Sequence, residues 1–459
     1  MKNIALTFCM ILGFTLVQAQ ENDSIQIRKI FDEALTQGQA YENLRYLCKN
    51  VGDRLSGSAG AKKAVRWSVA KMESYGFDEV WLEPTMVPKW DRGKKEKCEI
   101  LPEGTNLEAL ALGFSVGTDG PLEAEVVQFS TMQALRDAPE ESLKGKICFL
   151  DQAMNAKLID TFSAYGGCSG ARVRGPSIAA EKGAVGFVMR SLGLRADDFP
   201  HTGVMYYAKG GDSIPAFALS TNAAHELTKQ IEKRGVVSIR MEASCKNYPD
   251  VESNNVVCQM NGTEFPDQII TVGGHLDSWD VGEGAHDDGA GIMHSLEVLR
   301  IFKSLGIKPR YSIRCVFFMN EENGTRGAKA HAKASAERGD KHVAAMESDR
   351  GGFSPRGFTV DGQSPVIEYL SQWKPLLEPY NLHFIRKGYG GTDIRPLKEF
   401  GNPPLIGFVP DSQRYFDVHH TANDVFENVN RRELELGAAS MASLIYLIDK
   451  YGVPEELKN

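Results

Sequence analysis

Oxygen and imidazole donors recur through the C-terminal part of the chain. They are His275 and Asp277 in GGHLDSWD, Asp287 and Asp288 in AHDDGAG, Glu321 and Glu322 in EENG, Asp349 in ESD, and His419 and His420 in HHTAND. Such donors suit divalent metal ions, and an adjacent carboxylate pair such as Glu321-Glu322 can serve both as metal ligand and as general base in a metal-assisted hydrolysis. Each signal is modest alone. In HxD the imidazole can bind a metal while the carboxylate takes its other N–H, though a solvated loop histidine is commoner. Asp287-Asp288 before an apolar helix reads first as an N-cap with an acidic first turn, while Gly289 and Gly291 also permit the close approach a bridging carboxylate needs. Two like charges at Glu321-Glu322 are costly in a buried place unless a cation offsets them. Adjacent histidines on an extended segment face opposite ways, so one of His419 and His420 belongs to a given site, and the pattern does not choose. In RKGYGGTDIRP, Asp393 is a candidate partner for a substrate α-amino group and Arg395 for a carboxylate, with a helix N-cap and a surface arginine as the commoner readings; Tyr389, Gly390 and Gly391 are candidates for a pocket loop.

The elements that must position these residues alternate after Asn254. Strands are expected at NNVVCQM, QIITVGG, RYSIRCVFFM, HVAAMESD, LHFIRK and PPLIGFV. Helices are expected over 288–305, 325–338, near 367–377, near 394–400, and over 432–451. Strands apolar almost throughout suit a mainly parallel sheet with helices on both faces. Its ligands should gather outside the carboxyl ends of the strands, and His275, Asp287, Glu321, Glu322, Asp349 and His420 are each expected at such an end. The domain expectation is a leader over 1–19, α/β sequence over 20–120 and 245–459, and a smaller β-rich insertion over 121–244, where short strands (EAEVVQF, GKICFLD, IPAFALS) alternate with few helices. That insertion reads equally as a lid or as a passive addition.

Bulk properties narrow the class. The chain has 459 residues, 42% hydrophobic and 24% charged, with net charge −8; it is long enough for more than one core, and its mild acidity argues against nucleic acid as partner. The start, MKNIALTFCMILGFTLVQAQ, combines Lys2, a short apolar run and small residues at Val17 and Ala19, the pattern of a cleaved export signal rather than a membrane anchor. Export to the periplasm or the outside is therefore expected, with no stable anchor after cleavage. Beyond Cys9 the cysteines are Cys48, Cys98, Cys148, Cys168, Cys245, Cys258 and Cys315. Their odd number and lack of CxxC spacing exclude a complete disulfide framework, leaving room for one loop disulfide.

GGHLDSWD, AHDDGAG, EENG, ESD and HHTAND together resemble the co-catalytic zinc exopeptidases of the aminopeptidase family, and in particular the carboxypeptidase Q-like branch. GDRLSGSAG and VPKWDRG are similar to that branch, and LKGKICFLD, AAEKGAVGFVM and IPAFALS resemble its inserted protease-associated domain. The resemblance implies a zinc-exopeptidase-like fold and two Zn²⁺ ions per chain. It implies that Asp287 bridges them with its carboxylate and is followed by a cis Asp287-Asp288 peptide bond, with His275 and Asp349 on one ion and Glu322 and His420 on the other. Glu321 would be the general base and Asp277 the carboxylate orienting His275. The implied substrates are short peptides; a homodimer is compatible with the sequence. The rivals are a receptor-like binding module on the same scaffold and a single-zinc glutaminyl cyclase.

Overall fold

A computed structural model describes residues 21–457; the expected leader over 1–19 lies outside the described residues. Two eight-stranded sheets organise the chain. In the larger, the strands Tyr311–Phe318, Phe265–His275, Lys341–Glu347 and Leu405–Pro410 run parallel and side by side. Their apolar, β-branched composition explains the placement: both faces are covered, so no alternation of polar residues is required. Antiparallel pairing enters at the flanks, with Lys246–Met260 beside Tyr311–Phe318 and Pro355–Asp361 beside Leu405–Pro410. The sheet is thus mixed, with the expected parallel core. The helix Ala290–Ser304 is buried from Ala290 to Phe302 and packs between the sheet and the closing helix Arg431–Tyr451. Asn430 caps that closing helix by accepting from Glu433 N.

Glu79–Asp91 is one edge strand of the larger sheet, consistent with its prolines Pro84 and Pro88. It pairs antiparallel with Lys246–Met260 from Glu79 opposite Gln259 to Asp91 opposite Lys246. Just beyond, Lys97 stands opposite Glu242 in the second sheet. One long two-stranded ribbon therefore carries the chain out to the second sheet and back. That sheet takes its strands from Lys97–Leu101 through Ser238–Glu242, so it begins before Pro121, where the sequence texture changes. Around its parallel core of Leu122–Phe129, Ile147–Leu150, Gly186–Arg190 and Ala216–Leu219, the helices Ser169–Glu181 and Thr221–Arg234 pack.

Expected helices appear with two differences. The segment near 367–377 divides into Ser364–Ser371 and Lys374–Leu377, and the one near 394–400 is a 3₁₀ turn, Arg395–Glu399. All seven described cysteines are free and buried, so no loop disulfide forms among them. No helix among the described residues is long and apolar enough to cross a membrane.

Glu435 of the closing helix accepts from Tyr41 N at 3.2 Å while its other oxygen has no partner. Burial, then the charge of Glu297, pushes its carboxyl up to about 8. The folded value exceeds the unfolded one of about 4.3, so the stability tied to its proton is full below that lower value and is lost as pH rises through 8. Glu435→Gln should remove this dependence: between about pH 5 and about pH 9 the native protein should lose on the order of a few kcal/mol more stability than the variant, read by denaturant unfolding. Parallel curves would show that Glu435 carries no such cost.

Candidate metal centre

The parallel registers set His275 opposite Phe318, and Gly273 opposite Glu347, so three strands end on one rim. His275 closes its strand; Glu321 and Glu322 follow Phe318; Asp349 follows Glu347. Asp287 and His420 are not at strand ends. Asp287 lies on the turn Ala285–Gly289 ahead of the buried helix, and its bond to Asp288 is cis. His420 lies on a turn after the 3₁₀ segment Tyr415–Asp417, with φ of +59°.

The site is built around Asp287. Its Oδ1 lies 3.2 Å from His275 Nε2, and its Oδ2 lies 3.3 Å from His420 Nε2. His275 Nε2 is also 3.5 Å from Asp349 Oδ1, and His420 Nε2 is 3.0 Å from Glu322 Oε2. Each imidazole is oriented through its other nitrogen: His275 Nδ1 meets the carbonyl of Asp277 at 2.9 Å, and His420 Nδ1 meets the carbonyl of Thr202 at 3.2 Å. With Nδ1 as donor, both Nε2 lone pairs face the carboxylates, the arrangement a metal-binding histidine needs. Asp287 Oδ2 and Glu322 Oε1 are buried without a hydrogen-bond partner. A cavity of about 10 Å³, lined by Asp287, Glu322, His420, Trp279 and Asp424, adjoins them and has room for roughly one water-sized occupant. Unsatisfied oxygens and aimed imidazoles fit a divalent cation, and the mixed nitrogen and oxygen set suits zinc.

Two expectations change. The segment bearing His419 and His420 is not extended: the positive φ at His420 folds it, and the rings stack with centroids 3.6 Å apart. His419 Nε2 therefore also comes within 3.7 Å of Asp287 Oδ2, although only His420 adds contact with Glu322. Asp277 orients His275 through its backbone carbonyl; its Oδ1 stands 3.9 Å from Nδ1 and instead accepts from Asn320 N at 2.7 Å and Glu321 N at 3.1 Å. That carboxylate fixes the turn presenting Glu321.

Neighbouring acids do similar work. Asp288 takes the capping role: Oδ1 accepts from Gly291 N and Oδ2 from His275 N, each at 3.0 Å. Asp424 accepts from His286 N at 2.7 Å and Asp287 N at 3.0 Å, and Glu347 accepts from the amides of Thr392, Asp393 and Ile394. Gly391, at φ +154°, lies so close to Glu347 that a Cβ would meet its carboxyl carbon at 2.4 Å, so this loop position requires glycine. Tyr389 is half exposed, its hydroxyl bonded to Thr392. Asp393 caps no helix; it is 1% exposed, and neither carboxylate oxygen has a partner. Arg395 turns to solvent. His286 points away, toward Gly352 N and the carbonyl of Asn428.

Electrostatics reflect this crowding. Burial raises Glu321 well above the ordinary carboxyl range; His275 opposes, while Asp349, Glu322 and Asp287 add to the rise. Burial, then Glu347 and Glu321, does the same to Asp393. Burial works against protonation of His275, but Asp287 and Asp349 outweigh it and hold its pKa well up.

Sequence reasoning passed over the supports from elsewhere. Arg54, fully buried in GDRLSGSAG, donates to the carbonyls of Leu276, Glu283 and Gly284 at 2.6, 2.5 and 2.8 Å, holding the loop between His275 and Asp287. Thr202 and Arg172 come from the second sheet's unit, with Arg172 Nη1 3.5 Å from His420 Nδ1. A charged residue in a glycine-serine turn was a signal for Arg54; nothing in the sequence pointed to Thr202.

A family model described as peptidase family M28 matches residues 255–445. Carboxypeptidase Q of Bos taurus is 30% identical over 413 residues, covering 90% of this chain and 85% of that protein. The crystal structure of a peptidase M28 precursor from Shewanella amazonensis SB2B superposes with TM-score 0.90 at 33% identity, covering 94% of this chain and 97% of that one. A zinc aminopeptidase from Bacillus subtilis shares the fold, with TM-score 0.64 at 18% identity over 90% of this chain and 95% of that one.

Asp424→Ala removes the two acceptors that hold the backbone amides of His286 and Asp287. It should lower divalent-metal affinity about 10- to 100-fold, measured by competition with a chelator; unchanged affinity would show that those bonds do not hold Asp287 in place.

Proposed function

The chain belongs to peptidase family M28, and from that membership and the geometry above we propose an exported two-zinc exopeptidase of short peptides, an aminopeptidase or carboxypeptidase Q-like dipeptidase, with Glu321 as general base. It is a metallo-exopeptidase. The observation that carries the two-ion reading is Asp287, a single carboxylate whose two oxygens face different imidazoles. His275 and Asp349 would hold one ion with Asp287, and Glu322 and His420 the other. When bound there, zinc supplies Lewis acidity toward the scissile carbonyl and the attacking water.

The rest falls to the chain's own groups. Glu321 has no hydrogen-bond donor on its carboxylate among the described residues, and its proton affinity is raised by burial and by its acidic neighbours. Such a carboxylate suits taking a proton from water and returning it to the leaving amine. Asp277 positions it by accepting the Glu321 amide. Asp393, buried and unpartnered beside Glu321, would receive the substrate's α-ammonium, with Tyr389 and Gly391 shaping the loop over it. The unit read as 121–244, between peptidase parts 20–120 and 245–459, would serve as a protease-associated-like cover; its contacts to His420 through Thr202 and Arg172 support that role. Export rests on the leader.

Metal analysis of the purified protein should find two zinc ions per chain, and chelation should abolish peptide hydrolysis until zinc is restored. A single ion would favour the cyclase instead. Glu321→Gln should keep both ions yet lose at least ~10²-fold in kcat; near-normal turnover would remove Glu321 from the base role.

A further inference from the structure

Three buried arginines in this protein pair with acids. Arg92 pairs with Glu96 at 3.0 Å and Asp280 at 2.7 Å, Arg300 with Glu33 and Glu297 at 2.8 and 2.7 Å, and Arg314 with Asp340 at 2.5 Å. Arg54 spends its donors on carbonyls. Arg350 differs. It is half-buried and follows Asp349 directly, yet among the described residues it makes no ion pair or hydrogen bond, its guanidinium lying 4.8 Å over the Phe162 ring. A guanidinium taken partly out of water with its N–H fork unused is costly unless a ligand completes it.

Arg350 opens on a cleft of about 380 Å³ that also holds Asp160, Phe162, Arg356, Phe384 and Arg386. The acids there are committed. Asp160 caps the helix Thr161–Gly166 through Phe162 N and Ser163 N, and Asp411 binds Arg356 at 2.9 Å and Gln413 N at 3.0 Å. Arg386 lies over Phe384 at 4.3 Å without an acid partner. The cleft therefore carries uncommitted positive charge beside a centre crowded with carboxylates, which would otherwise repel an anionic substrate end.

We propose that Arg350, backed by Arg386, forms the subsite for a carboxylate on the residue that leaves after peptide-bond cleavage. The placement fits: Asp349 reaches inward to His275 at 3.5 Å while the next residue lines the cleft, so the cleft adjoins the centre through neighbouring residues. Asp393 and Arg350 then offer complementary groups, one with unpartnered oxygens for an ammonium and the other with an unpartnered fork for a carboxylate. The carboxylate is the α-carboxylate of the leaving residue or one on its side chain. The proposal rests on the peptidase reading, so its test reads binding apart from turnover.

The zinc-loaded Glu321→Gln protein, with and without Arg350→Met, is titrated calorimetrically with Ala-Ala, Ala-Ala amide and Ala-Asp amide. Arg350→Met should weaken Ala-Ala by about 10- to 100-fold, the size of a charge-assisted contact, and leave Ala-Ala amide within about 2-fold. Parallel weakening of Ala-Asp amide alone would assign the subsite to side-chain carboxylates. Arg350→Lys, which keeps the stem and charge but not the fork, should recover part of the loss and covers the case in which Arg350→Met fails to fold. Equal weakening of all probes, or no weakening of any carboxylate probe, would overturn the subsite. Failure of the zinc-loaded wild-type protein, with Glu321 intact, to hydrolyse Ala-Ala would instead count against the peptidase chemistry alone.

Discussion

Like-charge repulsion among buried carboxylates is the constraint on which the rest of this structure depends. Asp277, Asp287, Asp288, Glu322, Glu347, Asp393 and Asp424 are buried around one rim of the larger sheet, with Glu321 and Asp349 beside them. Charges so close in a low-dielectric place must be offset or hydrogen-bonded. The fold separates seven of them into two classes and leaves the carboxylates of Glu321 and Asp393 with no hydrogen-bond donor among the described residues. Asp277, Asp288, Glu347 and Asp424 each accept two or more main-chain amides, and each thereby ties a loop to the site. Asp287, Glu322 and Asp349 are left facing imidazoles. The amide-bound acids stabilise the geometry; the imidazole-facing ones are those proposed to hold metal.

The scaffold meets this constraint by ending parallel strands together. Adjacent parallel strands release their chains at one edge, and the amides of the loops that follow are unpaired and available to carboxylates. Arg54 extends the principle without a countercharge, since three carbonyls satisfy its guanidinium while it clamps the loop between two of the donors. The second sheet's unit closes the remaining side. Its Thr202 carbonyl sets the tautomer of His420, and Tyr165 stands edge-on to His419 with ring centroids 5.1 Å apart. The unit that sequence texture left as either lid or passive addition thus touches the centre directly.

Much of the fold was legible because its signals are local. Apolar strands and amphipathic or fully apolar helices show their period within a short window, and the prolines of Glu79–Asp91 mark an edge. The donor set was legible as well, because hard ligands before glycines and after apolar runs stand out in a chain of ordinary composition. The less legible parts each involve a contact between distant segments. Whether Asp287 or Asp288 caps the helix depends on which way each side chain turns after the cis bond, and Asp288 takes the cap. The two histidines were expected on opposite sides because an extended backbone alternates; a positive φ at His420 brings their rings together. Asp393 reads as a cap in sequence, yet the turn that follows starts one residue later and leaves the carboxylate bare.

The sequence by itself determined the class of this protein: an α/β chain with an ordered series of carboxylates and histidines able to hold metal ions, since residue type and short-range spacing decide both. Tertiary structure alone decided which atoms face one another. It placed the carbonyl of Asp277, not its carboxylate, on His275; it brought Thr202 and Arg172 onto His420; and it left Arg350 without an ion pair among the described residues. The physical reason is that hydrogen bonds and charge pairs act over a few ångströms, and the chain segments that meet at this rim are separated by long stretches of sequence.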